Sequence, residues 1–222
     1  TLSVLNSTYL RMGLIESAIV ILEKLIELDP QNIERFKQLG VNLYRISRYP
    51  EALNIYRAIV KLDAVDLLAW QGIANCLGHI PNEKLDDQVI SELHFCVSNN
   101  QLSSSMLASI LAFYILDQSG LYGLSRAEIS QILKHGEEII FKKTVQKLCR
   151  PLILEAMKNT MMLNIGIEHI FTLIRREFLL SSMEEKNSEL FEPENIAFLQ
   201  ALSQQCFQSE YVYSETPEEL EH

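Results

Sequence analysis

Self-similarity at intervals of 34 residues, centred on residues 33–66, constrains this chain more than any other feature. That stretch reads IERFKQLGVNLYRISRYPEALNIYRAIVKLDAVD, two apolar-periodic segments joined by a hinge at 47–50. In the first segment Phe36, Leu39, Gly40 and Leu43 fall on one helical face, at the three- and four-residue spacings that a helix requires. In the second, Ala52, Leu53, Tyr56 and Ile59 do the same. Small residues at Gly40 and Ala52 let two helices approach closely, and Phe36 and Tyr56 fill the space beside them. Each segment is about three turns long and hides its apolar face only against neighbours of its own kind.

Those neighbours are present. Shifting the unit by 34 residues aligns Leu5, Leu39 and Ile73, and likewise Leu22, Tyr56 and Ile90. Ala18 meets Ala52, Gly13 meets Ser47 at the hinge, and Pro30 meets Ala64. Period and pattern resemble the tetratricopeptide repeat, a helix–turn–helix unit of about 34 residues. The family's Leu-Gly pair stands here as Leu39-Gly40. Its aromatic slot holds Phe36 and then Trp70, and its small-residue slot holds Ala18, Ala52 and then Asp86. The third unit is therefore degenerate, with an irregular hinge at 78–82. The resemblance spans about residues 1–98. It implies an all-α fold: a short right-handed solenoid of helical hairpins, whose first helices line an inner groove.

Read in order, the chain predicts helices over 2–12, 15–28, 33–46 and 50–62, then one capped by Asp66 and ending at Leu77. Asn82 is expected to open the next, ending near Val97. Ser103–Ser105 should cap a helix burying Met106, Ile110, Phe113, Tyr114 and Leu116, a lid for the open end of the array. Beyond Gln118 the period is lost. Ser125 and Glu128 have the form of a capping box, His135-Gly136 should end that helix, and Pro151 suits a first helical turn. Ile167, Ile170, Phe171, Ile174 and Phe178 mark one face of a helix over 165–182. A last helix over 194–211 carries Ile196, Leu199, Ala201, Leu202, Cys206 and Phe207. The expected domains are 1–118 and 119–219. Residues 220–222 read as a purification-tag remnant on an excised piece of a longer protein.

Composition narrows the class. The net charge of −10 is uneven: residues 184–222 hold ten acidic side chains and one lysine. No basic stripe interleaved with aromatics exists for nucleic acid, no run is long enough for a membrane span, and no secretory signal opens the chain. Four scattered cysteines fit reduced thiols and a cytoplasmic location.

The second half carries its own resemblance. The strings Cys149-Arg150-Pro151-Leu152, His169-Ile170-Phe171-Thr172-Leu173, and Ala201-Leu202-Ser203-Gln204-Gln205-Cys206-Phe207 followed by Glu210-Tyr211-Val212 look like one bacterial family. Its members carry tetratricopeptide repeats, a helical segment and a class I S-adenosylmethionine-dependent methyltransferase domain. Ser209 stands where that family usually has Asn. The match implies a methyltransferase-associated region over about 149–215, yet this chain has no Gly-x-Gly turn for the cofactor. No catalytic residue, cofactor or metal is therefore assigned, and the chain is read as non-catalytic.

Other constellations are weak. Cys76, His79, His94 and Cys96 offer zinc-type donors but no Cys-x-x-Cys pair, so ordinary packing is preferred. His169 reads as surface-solvated, Arg175-Arg176 as facing the acidic 184–194 stretch, and Met157, Met161 and Met162 as core filling. The inner groove remains as the candidate site. Its expected lining is Lys37, Val41, Tyr44, Gln71 and Asn75, flanked by Glu34 and Leu68 and by Ser3, Ser7 and Leu10 of the first unit. The mix suits an extended peptide held by amide hydrogen bonds and a Tyr44 contact. The expected role is a protein-interaction scaffold recruiting a partner or substrate. The alternatives are a regulatory spacer or a self-association module forming a homo-oligomer.

Overall fold

Gly13 and Ser47, placed opposite each other by the 34-residue shift, both adopt left-handed backbone, at φ 73° and 62°. They follow α1 (Leu2–Arg11) and α3 (Ile33–Arg45), whose partners are α2 (Ile15–Leu28) and α4 (Tyr49–Leu62). The closures match bond for bond. Leu14 N–H reaches Tyr9 O at 2.9 Å, and Arg48 N–H reaches Leu43 O at 3.0 Å, the long hydrogen bond of a glycine-type helix stop. Ser47 holds this strained conformation without glycine, its Oγ accepting from the Tyr49 hydroxyl at 3.2 Å. The repeat seen in the letters is thus also a repeat in the backbone.

The computed structural model describes residues 2–79, 85–133, 138–161, 164–183 and 193–208. All regular structure among them is helical, and no helix is long and apolar enough to cross a membrane. The chain divides into two compact units, Thr1–Glu83 with Gln101–Met106, and Lys84–Asn100 with Leu107–His222. This division falls elsewhere than the expected boundary at 118.

In the first unit α2 packs on α1, α3 on α2, α4 on α3, and α5 (Leu67–Leu77) on α4, with α3 also touching α5. Asn32 caps α3 by accepting from Arg35 N, and Asp66 caps α5 by accepting from Ala69 N at 2.9 Å. The small-residue argument holds in detail. A Cβ on Gly40 would lie 2.9 Å from the Tyr56 ring, and one on Gly72 only 2.6 Å from it. The Tyr56 phenol is therefore wedged against the backbones of α3 and α5 at once, where burial pushes its pKa up to about 12. Leu39, Leu43, Ala52, Leu53 and Ile59 are buried around it, whereas Phe36 is half-buried.

The second unit holds α6 (Asp87–Ser98), α7 (Ala108–Ser119), α8 (Arg126–Leu133), α9 (Glu138–Leu148), α10 (Pro151–Asn159), α11 (Ile165–Met183) and α12 (Pro193–Gln208). Here α10 lies against α6 and α12, α7 against α9, and α8 against α11. The cap of α6 is Asp86, accepting from Val89 N at 2.8 Å, so this helix starts later than the repeat register demands. Asn82, the expected opener, lies outside the described residues. Asp86 sits where Ala18 and Ala52 are buried, and its carboxylate serves better as a cap than in a core. In the predicted lid helix Ile110 and Tyr114 are buried, but Met106 is exposed and Phe113 and Leu116 only half-covered. A 3-10 turn at Ser105–Leu107 precedes α7 and puts Leu107, Leu111 and Ile115 inward instead.

The capping box before α8 forms as predicted, with Ser125 N–H donating to Glu128 at 2.8 Å and Glu128 N–H to Ser125 Oγ at 3.3 Å. All five predicted inward residues of α11 are buried. On α12 Ala201, Leu202 and Cys206 are buried, whereas Ile196 and Phe207 face outward. His135-Gly136, the 184–192 stretch, Met162 and residues 209–222 lie outside the described residues.

Candidate functional site

The predicted groove residues lie on α3 and α5, which touch, but most of their polar groups are already engaged. Lys37 Nζ meets the Asp66 carboxylate at 2.5 Å, joining α3 to the cap of α5. Its pKa is raised, chiefly by that hydrogen bond. Burial works against the Asp66 charge, yet Lys37 and the Ala69 amide outweigh it and hold the carboxyl below its usual range. The Tyr44 hydroxyl and His79 Nε2 are 2.9 Å apart, and the His79 ring stacks on Tyr49 at 4.3 Å. Val41 is exposed, as are Glu34 and Leu68. On the first helix Ser7 turns its hydroxyl back to Ser3 O at 3.1 Å, so it lines no open surface with a free donor.

Gln71 shows what this face can do. Its Nε2 donates to Asn75 Oδ1 at 3.0 Å and to Ser103 O at 3.2 Å, while its Oε1 accepts from Ser103 N at 2.8 Å. The carboxamide therefore pairs with both polar atoms of one residue's main chain, as a neighbouring strand would. Further along α5, a Cβ on Gly78 would lie 2.3 Å from Met106 O. Segment 103–106 thus meets α5 at Gln71 and its C-cap at Gly78 through its own backbone, at Ser103 and Met106. Gln71 was expected to be free for a partner; in the folded chain it holds this segment.

Two clefts escaped the sequence reading, one in each unit. In the first unit a cleft of about 470 Å³ is floored by Ile26, Phe36, Leu39 and Ile55 and rimmed by Glu23, Glu27 and Glu51. Glu51 is paired with Arg48. Phe36, a core position by its spacing, is half-buried here because it also faces the cleft, and the spacing of Glu23 and Glu27 on α2 is the sequence signal for the rim. The second unit has a cleft of about 440 Å³ among α6, α7 and α10. Asp87, Ile90, Ser91 and His94 line it at i, i+3, i+4 and i+7 of α6, with Tyr114, Arg150, Pro151 and Leu152 facing them.

The other candidates resolve into packing. Cys76 and Cys96 are buried, their thiols pushed up to about 12 by burial, and no cluster of metal-ligating side chains occurs among the described residues. His169, expected at the surface, lies 2.9 Å from Ser130 Oγ and ties α11 to α8. Met157 is buried as expected, but Met161 is exposed. Comparison with family models, with curated proteins and with solved structures yields no match. Among the described residues all regular structure is helical, and in the first unit each helix packs on the one before it.

Proposed function

We propose that the first unit is a tetratricopeptide-type scaffold that binds extended peptide segments along α3 and α5. The two-way hydrogen bonding of Gln71 to the Ser103 main chain carries this reading, because it engages backbone rather than any particular side chain. Val41, Asn75 and the Tyr44 ring are what the same face offers a partner. The chain is read as non-catalytic, serving to recruit a partner or substrate for a methyltransferase. Support for that link is the resemblance carried by residues 149–215.

The test is selection from a displayed library of random peptides, followed by calorimetric titration of the selected sequences. Asn75→Ala should weaken binding about three- to tenfold, since a lost hydrogen bond is worth about 0.5–1.5 kcal/mol. Tyr44→Ala should cost about 2 kcal/mol as an interface anchor. Selected peptides whose affinity neither change affects, in variants that melt like the parent, would overturn the reading.

A further inference from the structure

We propose that the cleft among α6, α7 and α10 binds a small organic anion with an apolar body, such as an aryl phosphate or aryl carboxylate. Its volume of about 440 Å³ falls within the range of small-molecule sites, about 300–1,000 Å³. The wall is divided as such sites are: Ile90, Pro151 and Leu152 supply apolar surface, and a few polar groups converge on it.

Those polar groups share one property. The side chains of Arg150, His94 and Ser91 take no hydrogen bond or ion pair with any other described residue. Tyr114 is 4% exposed and lines the cleft, yet its hydroxyl is likewise without a protein partner among the described residues. The hydroxyl opens on the cleft, where its partner has to come from outside the chain. A ligand oxygen in the cleft would satisfy it.

The charge of that ligand follows from Arg150. Its guanidinium is always protonated and its fork matches a carboxylate or phosphate. Arg150 is also the N-cap residue of α10, and its side chain does not close the helix end. Pro151 has no amide hydrogen to offer, so the next amides of the first turn are left to face an anion with the favourable end of the helix dipole. Asp87 sets the limit. One carboxylate on the same wall tolerates a single anionic group but opposes a polyanion, which argues against a nucleic-acid backbone. The apolar wall in turn argues against a bare inorganic ion.

The experiment is titration of the full chain with phenyl phosphate, benzoate, inorganic phosphate and phenol, followed by calorimetry and by amide chemical shifts. The two aryl anions should saturate and move resonances of α6, α7 and α10, and the tighter of them identifies the head group. Inorganic phosphate and phenol, each offering half of the interaction, should bind far more weakly. Arg150→Met should weaken the aryl anion about tenfold or more, as for loss of a charge-assisted hydrogen bond. Tyr114→Phe, which keeps the ring, should weaken it about three- to tenfold. Ser91→Asp adds a second carboxylate at an exposed position and should abolish binding, whereas Lys143→Met should change nothing. The absence of saturable binding by either aryl anion would overturn the proposal, as would affinity unaltered by both Arg150→Met and Ser91→Asp.

Discussion

In the first unit helices pack in the order in which they occur: α2 on α1, α3 on α2, α4 on α3, α5 on α4. In the second, partners are remote. α10 lies against α6, and Asn159 Nδ2 donates to Val97 O at 3.1 Å across 62 residues of sequence. Within a first-unit interior that includes Leu22, Leu39, Ile59 and Ile73, one ring, Tyr56, is wedged between Gly40 and Gly72. The second unit packs Ile153, Ile167, Phe171, Phe198 and Leu202. Local contacts close short loops and cost little chain entropy, whereas remote ones need several elements in place first. The wedge ties α3, α4 and α5 together through one residue.

The largest expected effect tests the wedge itself. Tyr56→Ala should cost about 3–5 kcal/mol, the range for loss of a large buried ring. Trp70, the only tryptophan of the chain, sits on α5 and reports on the first unit. Urea unfolding should therefore show the Trp70 transition shifting further than the helical circular dichroism transition. Phe171→Ala should do the reverse. If both probes move together in both variants, the chain unfolds as one body and the contrast between units is not energetic.

A smaller effect probes the glycine side of the same contact. Gly72→Ala places a methyl 2.6 Å from the Tyr56 ring, and overpacking of this kind costs about 1–3 kcal/mol. In the Tyr56→Leu background the clash is relieved, so the same substitution should become nearly neutral. A thermal melt of the four proteins gives the coupling, and additive effects would mean that Gly72 is needed for backbone freedom instead. Gly166→Ala in the second unit, 3.2 Å from Asn164 Oδ1, should be milder.

Least visible near neutrality is the effect of titration. Tyr56 and Cys76 in the first unit and Cys96 in the second all hold their protons up to about 12 when folded. Unfolded, the thiols release theirs near 9 and the phenol near 10. Raised folded pKa values mean that the stability they contribute is complete below pH 9 and is lost as pH rises towards about 12. Urea midpoints at pH 8, 9, 10 and 11 should be flat first and then fall for both units. A flat series to pH 11 would show that these groups are not buried as described.

Where a residue contacts its neighbours in sequence, the letters carried the answer. Gly13 and Ser47 share one turn because the same short-range hydrogen bonds close both hairpins, and such bonds depend on a few adjacent residues. The third unit misled because Asp86 fits the repeat spacing but prefers the role of a cap, which moved the helix start to Asp87. The candidate groove was legible as positions on helices. That Gln71 would hold Ser103 was not, since no periodicity announces a bond between a helix and an irregular segment 32 residues away. The two clefts were hidden for the same reason: each takes its wall from three helices, and a spacing rule sees one helix at a time.

The Gln71–Ser103 pairing is one-sided in what it demands of the genetic text. Position 71 must supply both a donor and an acceptor at the end of a side chain, which few residues can do. Position 103 contributes only atoms that nearly every residue possesses, and its own side chain is exposed. A saturation mutagenesis map should therefore show a narrow tolerance at 71 facing a broad one at 103, with proline, which lacks the amide hydrogen, the residue refused there. The two positions touch, yet they would leave no matched pair of changes, and a contact of this kind stays silent in any record that looks for partners varying together.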